Sequence, residues 1–338
     1  MLRNTLLCLI FSILLPSLLP AQDVAFSQFF AAPLHLNPGL VGVTDAPRFT
    51  LNYRDQWPNW PNAYRTYAFA YEQPVNALNS GLGLRILTDD AGQGIYKTTA
   101  IAGVYGYHIK MRDDLSIRIG LDAGVFQTRL DWDKLLFGDQ LDPIQGDEGN
   151  QLTRENRPEN LERTVVDFST GMVVYGRTFY GGVALHHLNR PDESLLNVND
   201  NLRAGRPLRI TAHFGAQFSA GPGNIGRGQA FISPSILYMR QAGFSQLTAG
   251  AYTGYKSVFG GMWYRHSGQN PDAIIGLVGF RYQTIRIGYS YDLTVSGLSV
   301  GTTGGTHEVS FTISLADSDA LARKRKANRY NDCFALFK

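Results

Sequence analysis

Along most of the chain apolar and polar residues alternate with a period of two. "FTLNYR" places Phe49, Leu51 and Tyr53 on one face and Thr50, Asn52 and Arg54 on the other. "SIRIGLDAGV" sets Ile117, Ile119, Leu121, Ala123 and Val125 against Arg118, Gly120, Asp122 and Gly124. The same alternation runs through "RITAHFGAQF", "TIRIGYSYDL" and "HEVSFTISL". Successive side chains of a strand point to opposite faces, so this period predicts β-structure. Segments of this kind number about fourteen by the strand-reading rules. They begin near Arg48, Arg65, Gly81, Lys97, Leu115, Val165, Thr178, Leu208, Gln229, Ser245, Val258, Asp272, Thr284 and Thr306.

The connections carry a second pattern. Asp55–Tyr64, Asp131–Thr164, Leu188–Arg206 and Thr294–Gly305 are long, whereas those at Arg112–Asp114, Arg177, Lys256–Ser257 and Gln283–Thr284 are short. Long outer loops alternating with short periplasmic turns characterise outer-membrane barrels. Ser219–Gly228 and Gln241–Gly243 break the rule, which suggests a miscounted strand between them. A closed barrel is expected because lipid offers no partner to an open strand edge. Its polar alternate residues, among them Arg118, Asp122, His213, Arg286 and Asp292, would face the lumen. A soluble sandwich or propeller also alternates. Aromatics near predicted strand ends (Tyr53, Tyr71, Tyr107, Trp132, Tyr238, Tyr255, Trp263 and Tyr282) favour the barrel, as interfacial girdles. The expected fold is therefore all-β, a transmembrane antiparallel barrel of about 14 strands over residues 47–315.

Residues 1–21 read as an export signal: Arg3, an apolar run from Leu6 to Leu15, then Leu19-Pro20-Ala21, with cleavage expected after Ala21. A retained anchor is the alternative, disfavoured because Pro16 and Pro20 interrupt a run already short of the roughly 20 residues that span a bilayer. Cys8 follows two leucines, a poor lipidation context, and Cys333 is the one cysteine beyond the signal, so an internal disulfide is not expected. A net charge of +3 gives no case for nucleic acid. The 36 glycines, 19 phenylalanines and 17 tyrosines suit close strand contacts and amphipathic surfaces.

Candidate chemistry is sparse. "GPGNIG" at Gly221–Gly226 has the letters of a dinucleotide fingerprint, but a strand pattern follows where the fingerprint needs a helix. His186 and His187 are neighbours, and neighbours on a strand face opposite ways, which argues against a shared metal. Asp139, Asp142, Asp147 and Glu148 lack calcium-loop spacing and read as a solvated loop, and "TDDAGQG" reads as a tight exposed turn. No nucleophile elbow, metalloprotease motif or phosphate loop is present, so neither catalysis nor a cofactor is expected.

The opening of the expected mature chain, "QDVAFSQFFAAPLHLNPGLVGV", resembles that of PorP/SprF proteins of the type IX secretion system of Bacteroidetes. The resemblance rests on Gln22, Asp23, Phe26, Ser27, Gln28, Phe29, Phe30, Pro33, Leu34, Asn37 and Pro38. "NYRDQWP", with Asn52, Tyr53, Arg54, Gln56 and Trp57, is similar to the family's first strand, and "GGTHEVSFTISL" to its last. The Cys333-Phe334 ending is similar too. Val24 stands where the family usually has Pro, and no Pro follows Cys333.

The resemblance implies an outer-membrane barrel that serves export and surface attachment of an adhesin-like protein, often one of gliding motility, bearing a type IX C-terminal signal. It also implies partners among periplasmic ring and peptidoglycan-binding lipoproteins. Residues 22–46 are expected at the periplasmic mouth or in the lumen, with Pro33 and Pro38 fixing an extended path. Residues 316–338 are expected as a basic periplasmic tail, in which Arg323, Lys324, Arg325, Lys326, Phe334 and Phe337 would dock a partner. Trp57, Trp60 and Tyr64 of "WPNWPNAY" offer rigid aromatic surface for an outer contact. A passive porin or small-solute transporter is the alternative.

Overall fold

The computed structural model describes residues 22–315, apart from 45, 61–62, 113, 143–145, 148–152, 196–204, 221–229, 269 and 298–299. Fourteen strands form one antiparallel sheet. They are β1 (Arg48–Gln56), β2 (Tyr64–Val75), β3 (Ser80–Ala91), β4 (Tyr96–Arg112), β5 (Leu115–Leu130), β6 (Glu162–Tyr175) and β7 (Phe179–His186). There follow β8 (Arg209–Ala216), β9 (Ala230–Gln241), β10 (Phe244–Tyr255), β11 (Val258–Ser267), β12 (Asn270–Tyr282), β13 (Ile285–Thr294) and β14 (Thr306–Ser314). A break at Gln217 interrupts β8, which resumes as Phe218–Ala220 on the same partner strand. Each strand pairs with its sequence neighbours, and β1 pairs with β14, so the sheet closes.

The strands begin within three residues of where the alternation places them, the largest difference being Glu162 for Val165. The suspected miscount is absent. Ala242 and Gly243 make a two-residue turn at the end that carries the long loops, and the stretch between β8 and β9 is the long connection at the opposite end. Ala242 turns with φ +51°. Outer-membrane barrels put long loops outside, so the loop end is the outer end and the turn end faces the periplasm.

Burial is the inverse of a soluble protein's. On β1, Thr50, Asn52 and Arg54 are buried while Leu51 is 50% exposed. On β5, Leu121 is 58% exposed and Asp122 is buried. The apolar face meets lipid and the polar face is enclosed. Among the described residues no helix is long and apolar enough to cross a membrane, so the strands do the crossing. Tyr107, Tyr255 and Tyr282 lie exposed near the turn end and Tyr238 near the loop end, as girdles require. Trp263 is the exception. Its neighbours Met262 and Tyr264 face outward, so strand parity turns Trp263 into the lumen, where it is buried. Trp132 sits in a loop turn after β5, against Phe137.

The core lies inside the barrel, where residues 26–43 pack against inward wall side chains such as Tyr252, Phe259 and Trp263. Phe29, Phe30, Leu34, Leu36, Leu40, Val41 and Val43 are all buried. A short helix α1 (Pro33–Leu36) is flanked by 3-10 turns at Phe29–Ala31 and Pro38–Leu40. Pro33 and Pro38 each start a turn, where a missing N–H costs nothing.

Candidate functional site

The lumen and the segment threaded through it form the candidate site. An irregular segment must find partners for its backbone groups outside regular structure. Here the barrel wall supplies them along its height.

Near the loop end, the Glu308 carboxylate of β14 accepts the N–H groups of Ser27 and Gln28 at 2.9 Å each. The Gln28 amide donates to the Glu308 carbonyl oxygen at 2.9 Å and to Ser290 Oγ at 3.1 Å. Ser310 Oγ donates to Gln28 Oε1 at 2.6 Å. The Ser27 hydroxyl donates to Asp292 at 2.6 Å and accepts from Arg54 and Arg265 at 3.0 Å each. Arg54 also donates to Gln56 Oε1 at 3.1 Å. Residues of "FSQ", "NYRDQ" and "THEV" thus meet at one buried knot. Charge-assisted bonds of this kind contribute about 1.5–3 kcal/mol each when enclosed.

Below the knot, Phe29 and Phe30 pack on the inward Trp263. The Phe30 ring stacks on it at 5.8 Å and the Phe29 ring meets it edge-on at 6.2 Å. Trp263 Nε1 donates to Ser235 Oγ at 3.0 Å, which satisfies its polar edge. Each buried phenylalanine contributes about 2 kcal/mol by removal from water.

Toward the turn end, Asn37 Oδ1 accepts from Gly39 N at 2.8 Å and so caps the second 3-10 turn. Its amide nitrogen lies 3.2 Å from Met172 O, 3.3 Å from Val183 O and 3.1 Å from His213 Nε2. This close approach needs a wall without side chains. A β-carbon on Gly120 would stand 2.2 Å from the Pro38 carbonyl carbon, and one on Gly171 would stand 2.0 Å from Asn37 Oδ1. Gly81 and Gly106 make the same allowance for Val41. Four strands therefore present a glycine track to Asn37–Val41, which accounts for part of the glycine richness. Arg118 donates to Val41 O at 3.1 Å, and Glu72, paired with Arg48, accepts from Gly42 N at 2.8 Å.

The segment starts in a charged cluster under the outer loops. Asp23 lies 2.7 Å from His187 Nε2, 2.8 Å from Arg206 and 3.1 Å from Arg209. His187 Nδ1 lies 2.9 Å from Asp167. Burial works to raise the Asp23 carboxyl, but Arg206 and Arg209 outweigh it and hold the group well below its ordinary range. Burial likewise opposes charge on His187, and Asp23 and Asp167 overcome it, so its ring is raised above the ordinary imidazole value. His186 and His187 do not face opposite ways, as alternation had them. His187 follows the last residue of β7 with φ +60°, and this left-handed step turns both rings inward, where both are buried. Among the described residues no cluster of His, Cys, Asp and Glu could hold a metal ion.

Of the other sequence candidates, Trp60 and Tyr64 are exposed at the loop end, and Trp57 packs on both rings at 5.6 and 6.0 Å. Trp57 takes φ +62°, held by its N–H on Gly305 O at 2.9 Å. Tyr53 faces lipid and donates to Asp55 at 3.3 Å. Phe26 packs beside His35 at 5.8 Å. Asp139 accepts from Thr153 and from Arg154 N, an arrangement internal to its loop. Of "TDDAGQG", expected as a turn, Thr88–Ala91 complete β3 and only Gly92, Gln93 and Gly94 turn, all with positive φ. Glu148, "GPGNIG", Cys8, Cys333 and the tail with Arg323, Lys324, Arg325, Lys326, Phe334 and Phe337 lie outside the described residues. Nothing in the sequence joined Glu308 to Ser27 and Gln28, Asp23 to Arg206 and Arg209, or the glycines into one track. Inward-facing charges and glycines on alternate strand positions were the signal available.

Residues 19–313 match the family described as type IX secretion system membrane protein PorP/SprF. The chain belongs to the PorP/SprF family. It is an outer-membrane β-barrel associated with type IX secretion. Comparison with curated proteins finds no match. Among solved structures, a Pseudomonas aeruginosa FadL homologue is similar at TM-score 0.41 and 12% identity, covering 82% of this chain and 92% of that one. A mutant porin from Rhodopseudomonas blastica is similar at TM-score 0.31 and 5% identity, covering 80% and 99%.

Proposed function

We propose that this PorP/SprF barrel assists the export and surface attachment of an adhesin-like partner protein bearing a type IX C-terminal signal. It acts without catalysis. The observation that carries this reading is the occupied lumen. A porin must keep a water path, whereas residues 26–43 of this chain are held across the barrel by wall carboxylates, arginines and a glycine track. The energy invested in anchoring that segment suits a barrel that presents surfaces to proteins rather than one that conducts solutes.

The contact surfaces proposed are the outer loops 131–164 and 188–206 and the aromatic group Trp57, Trp60 and Tyr64. Rigid aromatic side chains supply large contact area at small entropic cost. On the periplasmic side, the basic run Arg323–Lys326 with Phe334 and Phe337 is proposed to dock ring or peptidoglycan-binding lipoproteins of the same system.

The test uses the full chain purified from outer membranes. Expected are co-purification with a large secreted protein and silence in a planar bilayer. Steady open conductance with no protein partner would instead identify a passive porin.

A further inference from the structure

A cavity of about 100 Å³ lies under the loop end of the barrel, and Gln22, Asp89, Asp167 and His187 are among the residues lining it. Asp167 is 6% exposed. Its Oδ2 is taken by His187, but its Oδ1 is buried and has no hydrogen-bond partner. The charges around the cavity do not balance. Asp23, Asp89, Asp167 and Glu193 bring four negative charges, and Arg206, Arg209 and a protonated His187 bring three positive ones. Arg85, which also lines the cavity, is matched by its own partner Asp122 at 2.9 Å. Asp89 and Glu193 are half-buried, so the carboxylates exceed the cations by one, and the buried oxygen left without a partner is Asp167 Oδ1.

We propose that the missing cation is the α-ammonium of Gln22, set free when the leader is removed after Ala21, and that this cavity is its seat. Hydrolysis of the Ala21–Gln22 peptide bond by signal peptidase consumes one water. It leaves a carboxylate on the departing leader and an ammonium on Gln22. Gln22 directly precedes Asp23, whose N–H donates to Gln241 Oε1 at 2.8 Å and whose carboxylate holds His187, the partner of Asp167. Gln22, itself exposed, thus lines the same cavity as the unpartnered oxygen of Asp167. Leader removal would then complete the fold of the lumen segment. The order is set by topology: the leader is cut on the periplasmic side of the inner membrane, whereas Gln22 ends at the outer mouth, so cutting precedes threading.

An N-terminal glutamine can also cyclise, losing ammonia and giving a neutral lactam. A protonated, seated amine is not a nucleophile and resists this reaction. The test takes the full mature chain from outer membranes in detergent. Mass spectrometry is expected to find an uncyclised Gln22 terminus. An amine-selective reagent at neutral pH is expected to label that terminus about tenfold more slowly in the folded than in the denatured chain, the effect of roughly one unit of stabilised charge.

Asp167→Asn is expected to restore labelling. Two glycines inserted between Ala21 and Gln22, with cleavage kept after Ala21, are expected to lower the unfolding midpoint in the wild-type background and not in Asp167→Asn. A mature chain starting elsewhere, a terminus one ammonia lighter throughout, or equal labelling of folded and denatured wild-type chains would overturn the proposal. That last comparison stands even if Asp167→Asn does not fold.

Discussion

Gly171 lies so close beneath Asn37 that a β-carbon on it would stand 2.0 Å from the Asn37 side-chain oxygen. Gly171→Ala is expected to push Asn37 off Met172 and Val183 and to destabilise the docked segment by about 1–3 kcal/mol, the usual cost of overpacking. Thermal unfolding in detergent measures the loss. The wall itself should close normally, because the three atoms nearest that β-carbon belong to Asn37 and Pro38 and none to the wall.

Glu308 holds two backbone N–H groups and also faces Arg54 at 3.4 Å. Glu308→Ala is expected to cost about 3 kcal/mol, since it leaves both N–H groups without their acceptor and takes from Arg54 one of the two carboxylates it faces. Glu308→Gln keeps one acceptor and should cost less. Denaturant titration of the two variants side by side gives the ordering.

The Asp23 and His187 pair predicts a pH window. The His187 ring is raised in the folded state, so its contribution is complete below the ordinary imidazole value of about 6.5 and is lost as pH rises through the folded value. The Asp23 carboxyl is depressed, so its contribution is complete above about 3.9 and is lost as pH falls through its folded value. Anchoring of the first residues should therefore be firmest between these limits and weaken as pH rises through the folded value of His187. Protease protection of residues 22–28 against pH reads this directly, and His187→Gln should flatten the alkaline limb.

Deleting Phe26–Leu36 removes the aromatic packing on Trp263 and both Glu308 bonds. A steady single-channel conductance, absent in the full chain, is the expected bilayer recording, together with loss of partner export. Unchanged stability and unchanged export would end the anchoring argument.

The barrel was legible in the sequence because lipid imposes one rule on every strand. Leu121 and Asp122, or Leu51 and Asn52, record the two environments in adjacent letters. The threaded segment was less legible, since its partners are remote: Gln28 and Glu308 are separated by 280 positions. Period-two reading also fails where the backbone leaves the strand region. His187 shows this, as a left-handed step reverses the facing that alternation assigns. Trp263 was misread for the opposite reason. Its aromatic character suggested a girdle, but parity from Met262 and Tyr264 already pointed it inward. The resemblance marked Phe26, Ser27, Gln28 and Arg54 without saying why they recur together. Ser27, Gln28 and Arg54 converge on Glu308 and Asp292, which supplies the reason for those three in hydrogen bonds.

The anchors of the threaded segment run from the outer mouth at Asp23 to the periplasmic end at Gly42, and this polarity has a mechanical meaning. A load drawn outward on the first residues would meet the Asp23 cluster, then Ser27 and Gln28, then Asn37, so the attachments would yield one after another at low force. A load from the periplasmic end would instead fall on β1 and its ladders with β2 and β14, where many bonds share the strain at once. The barrel is thus easy to unfasten from one side of the membrane and resistant from the other.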